Sequence, residues 1–235
     1  MQKLLFTKDG LQWTIGKGQS YRENSVFRTE DTAEDFVAAE LNEALKAPAR
    51  KIEVISAFNH FTMMPYGFDN HDLAYKLISY NAPVNADTEE LMLAVNKRYH
   101  VQFYYTLPKE YYRAIKARNI PTTFNFSGEK FLQQLSSAKA RHQVHINLYP
   151  TQAEFFALDD RRIVLYNNLD ATSEVDFLYF IMFSVSKIGF PVKDTQFVVY
   201  GELSGNETFL SELQKFAPHV KVAFQNEGNK KHLMF

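Results

Sequence analysis

The sequence predicts an α/β protein in which one order of elements, β-β-β-α-β-α-β, occurs twice. Three observations carry this. Alternating apolar runs split by tight-turn residues open the chain and recur near His142. Each set is followed by a helix with a start signal and a Pro or Gly stop. With 235 residues that are 46% hydrophobic and no cysteine, core burial rather than cross-linking must hold the fold.

Lys3–Thr7 and Leu11–Ile15 read as strands joined at Lys8, Asp9 and Gly10, because Asp-Gly is a common tight-turn pair. A Gly-Lys-Gly turn at Gly16–Gly18 then leads to a third strand near Ser25–Arg28, completing an antiparallel meander. Thr32 is placed to cap a helix with Phe36, Val37, Leu41, Ala44 and Leu45 on one face, and Pro48 stops it. A strand over Ile52–Phe58 and a helix over Asp69–Tyr80, bearing Leu73, Leu77 and Ile78, complete the first run. Glu90–Asn96 and His100–Leu107 read as a hairpin, followed by a helix from Pro108, a short extended segment and a helix after Ser127. An insertion is therefore expected around residues 88–118.

The second run has strands at Gln143–Leu148, Ala153–Leu158 and Ile163–Tyr166. Ser173 with Asp176 forms a capping box for a strongly apolar helix reaching Lys187, closed by Gly189 and Pro191. A strand over Gln196–Tyr200 follows, then a helix capped by Asn206 with Phe209, Leu210, Leu213 and Phe216, and a strand over Val220–Phe224. The expected halves are 1–140 and 141–235. A meander followed by α-β-α-β crossovers is the layout of a ribonuclease H-like half, and two in tandem make the actin-like ATPase fold.

Charge excludes more than it suggests. Lys and Arg number 26 against 27 Asp and Glu, so no net field draws nucleic acid or an anionic membrane. The absence of cysteine excludes thiol catalysis and Cys-ligated metal. The longest apolar run, Phe177–Phe183, falls far below the roughly 18 residues of a membrane span. No signal-peptide core is visible at the start, so a cytoplasmic protein is expected.

Phe61–Pro65 (Phe-Thr-Met-Met-Pro), Leu165–Leu169 (Leu-Tyr-Asn-Asn-Leu), Asp176–Phe180 (Asp-Phe-Leu-Tyr-Phe) and Val199–Glu202 (Val-Tyr-Gly-Glu) are spread over most of the chain. In them the sequence resembles an uncharacterised bacterial family classed as a domain of unknown function. The resemblance implies an actin-like ATPase fold, related at a distance to sugar kinases, chaperone ATPases and pilus-assembly scaffold proteins. It implies no activity, substrate or partner.

Active members of that fold use glycines and a carboxylate in the first hairpin of each half to hold phosphate and metal. Asp9 and Gly10 have the residue types, and Gly201 and Gly205 flank a strand-to-helix turn. These four are the cofactor-binding candidates should ATP and magnesium bind. The second hairpin, Asn147–Gln152, has neither glycine nor carboxylate, and Pro150 lacks an N–H. Gly16–Ser20 lacks the spacing of a P-loop. His142 and His145, three apart on a strand, point to opposite faces and cannot share a metal. Lys109, Arg113 and Lys116 share a helix face, either solvated or a small anionic docking patch. No catalytic residue, metal ligand or cofactor is assigned. The preferred expectation is a non-catalytic, degenerate actin-like scaffold that binds a protein partner or itself. The alternative is a nucleotide-binding ATPase or kinase-like enzyme.

The helix from Glu174 to Lys187 is the most telling element. Val175, Leu178, Ile181, Met182, Val185 and Ile188 form a stripe expected to face the sheet, with Phe180 and Phe183 on the far side. A helix apolar all round needs cover on both sides. The expectation is internal cover for Phe180 and a partner over Phe183.

Overall fold

In the computed structural model, which describes residues 1–16, 22–33, 35–135, 139–149, 152–169, 173–201 and 207–223, the chain divides after Lys130 into two units. In the first, β1 (Gln2–Thr7), β2 (Gly10–Ile15) and β3 (Arg22–Phe27) form the expected antiparallel meander. Helix α1 (Phe36–Lys46) carries the chain across to β4 (Ile52–Ser56), parallel to β1. A parallel neighbour requires such a crossover because the chain must return to the same end of the sheet. Thr32 does not cap α1. Its Oγ1 accepts from the Thr29 N–H at 2.8 Å and lies 2.7 Å from Thr29 Oγ1, a local turn that competes with helix capping for the same hydroxyl.

Next come β5 (Phe61–Pro65), α2 (His71–Ile78), β6 (Glu89–Asn96) and β7 (Val101–Pro108). The three strands form a separate antiparallel sheet, ordered β5-β7-β6. Asn70 caps α2 by accepting from the Leu73 N–H at 2.9 Å, and Ala74 and Ile78 pack on Tyr104 of β7. Helix α3 (Lys109–Lys116) then crosses to β8 (Thr122–Phe126), which pairs parallel to β4 with Ile52 beside Thr122. The segment set into the repeat is thus Phe61–Pro108, earlier than the expected 88–118, and α2 belongs to it. The helix that repeats is α3. Its Ile115 joins Val37, Leu41 and Ala44 of α1 over Leu4, Phe6, Ile52 and Val54. Helix α4 (Ser127–Gln134) follows.

The second unit has β9 (His142–Leu148), β10 (Ala153–Asp159), β11 (Arg162–Leu169), α5 (Glu174–Lys187), β12 (Gln196–Gly201), α6 (Glu207–Phe216) and β13 (Val220–Val222). Its sheet order, β11-β10-β9-β12-β13, matches the β3-β2-β1-β4-β8 of the first unit position for position. Both are the ribonuclease H-like arrangement, and the duplication is architectural. Ser173 caps α5 as expected: Oγ accepts from the Asp176 N–H at 3.2 Å and donates to Asp176 Oδ2 at 2.7 Å. Asn206 and Phe224 lie outside the described residues.

Period two sorts the strands of this unit. Val144, Ile146, Leu148, Phe155, Ala157, Phe197 and Val199 pack on Phe177, Leu178, Ile181 and Val185 of α5 and on Phe209 and Leu213 of α6. The opposite face carries Gln143, His145, Asn147, Glu154, Tyr166 and Asn168, all buried. The stripe of α5 is rotated from the expected one. Phe177, at i−4 from Ile181, takes the sheet-facing place assigned to Val175, which is exposed.

Candidate functional site

Asp9 and Gly10 share the β1–β2 turn. The Asp9 carbonyl accepts from the Arg28 N–H at 2.6 Å, and Thr7 Oγ1 donates to the Gly10 carbonyl at 3.3 Å. A Cβ on Gly10 would stand 2.1 Å from the Val26 carbonyl oxygen, so this glycine lets β3 close against the turn. Gly201 ends β12 in the second unit, beside Leu148 of β9. Its φ is +93°, and a Cβ there would stand 2.3 Å from the Leu148 carbonyl oxygen and 2.6 Å from Asn147 Oδ1. At both glycines the space a side chain would fill holds strand backbone, so close strand packing is reason enough for a glycine at each. Gly205, Glu202, Pro150 and Lys17 lie outside the described residues.

In the second hairpin the Tyr149 N–H donates to the Gln152 carbonyl at 2.9 Å. Beside it stands Glu154, a carboxylate set inside strand β10, where no turn or motif spacing marks it. It is fully buried and accepts from Asn147 Nδ2 at 2.9 Å, Tyr149 Oη at 2.6 Å and Tyr166 Oη at 2.7 Å. Asn147 Oδ1 is buried without a hydrogen-bond partner among the described residues. A carboxylate and an amide oxygen are acceptors, and a phosphate needs donors.

His142 and His145 face opposite ways. The His142 ring packs against Phe190 at a tilt with centroids 4.4 Å apart, while His145 Nδ1 lies 3.0 Å from Tyr200 Oη and its Nε2 lies 3.1 Å from Gln143 Oε1. Burial holds the His145 imidazole down to about 4, neutral at ordinary pH. On α3, Lys109 Nζ donates to the Ala86 carbonyl at 2.5 Å, and Lys116 Nζ covers the rings of Tyr112 and Phe124 at 5.6 and 5.5 Å. Two of the three cations proposed for an anionic patch are thereby engaged with the protein. Among the described residues no three His, Asp or Glu side chains gather as metal ligands, and no helix is long and apolar enough to cross a membrane.

Between α5 and α6 of the second unit lies a groove of about 530 Å³, lined by Val175, Leu178, Tyr179, Met182, Phe183 and Phe216 together with Ser186 and Glu212. Exposure is 63% at Val175, 61% at Tyr179, 45% at Phe180, 49% at Phe183 and 59% at Phe216. Phe180 is therefore uncovered, contrary to the expected internal cover. The rings hold one another: Tyr179 stacks on Phe183 at 6.1 Å and meets Phe180 edge-on at 5.5 Å. Lys187 Nζ lies 5.2 Å from the Phe183 ring centre. Such a surface is a set of large, mutually braced apolar anchors.

A family model described as "Protein of unknown function (DUF3822)" matches residues 5–220. The chain belongs to the DUF3822 family. Among solved structures, a Bacteroides thetaiotaomicron protein with an actin-like ATPase fold and unknown function aligns at a TM-score of 0.77 and 15% identity, over 96% of this chain and 90% of its own. A chain of the PilM–PilN type IV pilus biogenesis complex aligns at 0.57 and 9% identity, over 95% and 87%. No curated protein matches. At these identities the likeness shows the fold: this DUF3822 chain has the actin-like ATPase fold.

Of the groove residues in the DUF3822 chain, the sequence singles out Phe183 as outward-facing and assigns Phe216 to the apolar face of its helix. Tyr179 is passed over, although Val175, Tyr179 and Phe183 at i, i+4 and i+8 form one ridge. That spacing was the available signal.

Proposed function

We propose that this DUF3822 protein is a non-catalytic, actin-like scaffold that works by binding protein through the α5–α6 groove, in a bacterial cytoplasm. The carrying observation is the exposed ridge, because Val175, Tyr179 and Phe183 with Phe216 of α6 line one groove while largely open to solvent, which is unusual unless that surface is used. Further support comes from Gly10 and Gly201, whose missing side chains make room for strand backbone, and from the acceptor-lined second hairpin. Together these disfavour the ATPase or kinase-like alternative. The PilM–PilN relative is a fold neighbour solved within a protein complex, which suits a scaffold role. A cysteine-free chain suits the reducing cytoplasm.

Thermal unfolding with and without magnesium ATP tests the reading. A ligand at about 100 times its Kd stabilises by roughly 2.7 kcal/mol, several degrees for a chain of this size. No shift is expected, and a shift of that size overturns the scaffold assignment.

A further inference from the structure

Resting on the scaffold reading, we infer that the partner seated on the α5–α6 face is a second copy of this chain, packed about a two-fold axis with the two α5 helices antiparallel. The argument begins with four positions. Asp176, Phe180, Phe183 and Lys187 follow one another at steps of four, three and four, the spacing that keeps side chains on a single line of a helix. Along that line the order is acid, ring, ring, base. No charged residue lies between Phe177 and Ser186.

Such a line is complementary to its own reverse. An axis midway between Phe180 and Phe183 is also midway between Asp176 and Lys187. One antiparallel placement therefore sets Phe180 against the second copy's Phe183 and Asp176 against its Lys187, twice over. Parallel packing would instead oppose like charges at both ends, which is destabilising. Antiparallel helices also set opposite dipole ends beside each other. In a two-fold interface the same patch serves both copies, so a self-complementary line is what symmetry demands.

The area agrees. Aromatic side chains offer ~150–250 Å² each. At the observed exposures, Tyr179, Phe180, Phe183 and Phe216 present about half of this, and Val175 adds to it. The open apolar surface is on the order of 400–500 Å² per copy. A standard interface buries ~800 Å² per partner, of which ~65% is apolar in homodimers, or about 500 Å².

Sedimentation of the full chain from about 1 to 100 μM at low salt is the test. The parent is expected to form a dimer of two 27.3 kDa copies, and Phe183→Glu is expected to be monomeric while keeping the circular dichroism of a folded chain, since Phe183 is half exposed. Lys187→Glu sets carboxylate against carboxylate at both ends and weakens the dimer about tenfold. Adding Asp176→Lys to it exchanges the signs and recovers most of that loss. A parent monomeric at the highest concentration overturns the self-pairing and leaves the groove to a different protein. A dimer indifferent to Phe183→Glu overturns this face as the interface. A double variant no tighter than Lys187→Glu overturns the antiparallel arrangement. A magnesium ATP shift, by contrast, sinks the scaffold reading whatever the mass.

Discussion

Gly201→Ala tests whether this glycine belongs to the sheet or to a ligand. The new Cβ would stand 2.3 Å from the Leu148 carbonyl oxygen and 2.6 Å from Asn147 Oδ1. The carbonyl belongs to β9, whose parallel pairing with β12 runs from Gln143 to Leu148, so it cannot yield without parting the central strands. A left-handed φ costs an L-residue about 1–2 kcal/mol, and forcing a methyl into filled space about 1–3 kcal/mol. The stiffer unfolded chain returns ~0.4–1 kcal/mol. The net expectation is a loss of about 2–4 kcal/mol, read as the urea midpoint followed by circular dichroism. Gly67→Ala is the control: its φ is +87°, near the +93° of Gly201, but nothing lies within 4 Å of a Cβ there. The backbone cost therefore cancels, and the difference between the variants isolates the clash. If Gly201→Ala is no worse than Gly67→Ala, the close approach of β9 and β12 is not what keeps this position a glycine.

Two further expectations concern the same unit. The folded pKa of His145 is about 4, against 6.5 ordinarily. The unfolded chain binds the extra proton in between, so stability is full above about 6.5 and falls as the pH drops toward 4. Near pH 4.5 the loss is about 2.5 kcal/mol; comparing urea midpoints of the parent and His145→Gln at pH 7.5 and 4.5 checks it, and equal losses refute the assignment. Phe177→Ala should cost about 3–5 kcal/mol as a buried ring, and Phe180→Ala within about 1 kcal/mol as an exposed one. Equal unfolding losses in the monomeric Phe183→Glu background would show that Phe180 is covered within its own chain.

What the sequence displayed was local chemistry. The capping box at Ser173, the meander of β1 to β3 and the apolar run of α5 all follow from neighbours within a few residues, and each stands where it was expected. The long-range pairings were hidden. Nothing in Leu73, Leu77 and Ile78 says that their helix covers β7 rather than the main sheet, because helical periodicity marks a buried face without naming what buries it. Phe61–Pro65 shows no strand signal of its own, since the partner that makes it a strand, Val101–Tyr105, lies far along the chain. The rotation of α5 escaped for a related reason. A helix apolar on every side has no contrast from which its inward arc can be read, and only the packed sheet distinguishes Phe177 from Val175.

The buried side of the second sheet has a consequence for how the chain finds its alignment. In β10, Glu154 alternates with Ala153 and Phe155, which face the helices. Sliding β10 by one residue would turn the Glu154 carboxylate into the apolar layer beneath α5 and strip it of Asn147, Tyr149 and Tyr166. Desolvating an unpaired carboxylate costs several kcal/mol, whereas an all-apolar strand could slip and still bury itself on either face. The network around Glu154 thus acts as a proofreader of register, penalising the misaligned hairpin against the observed one.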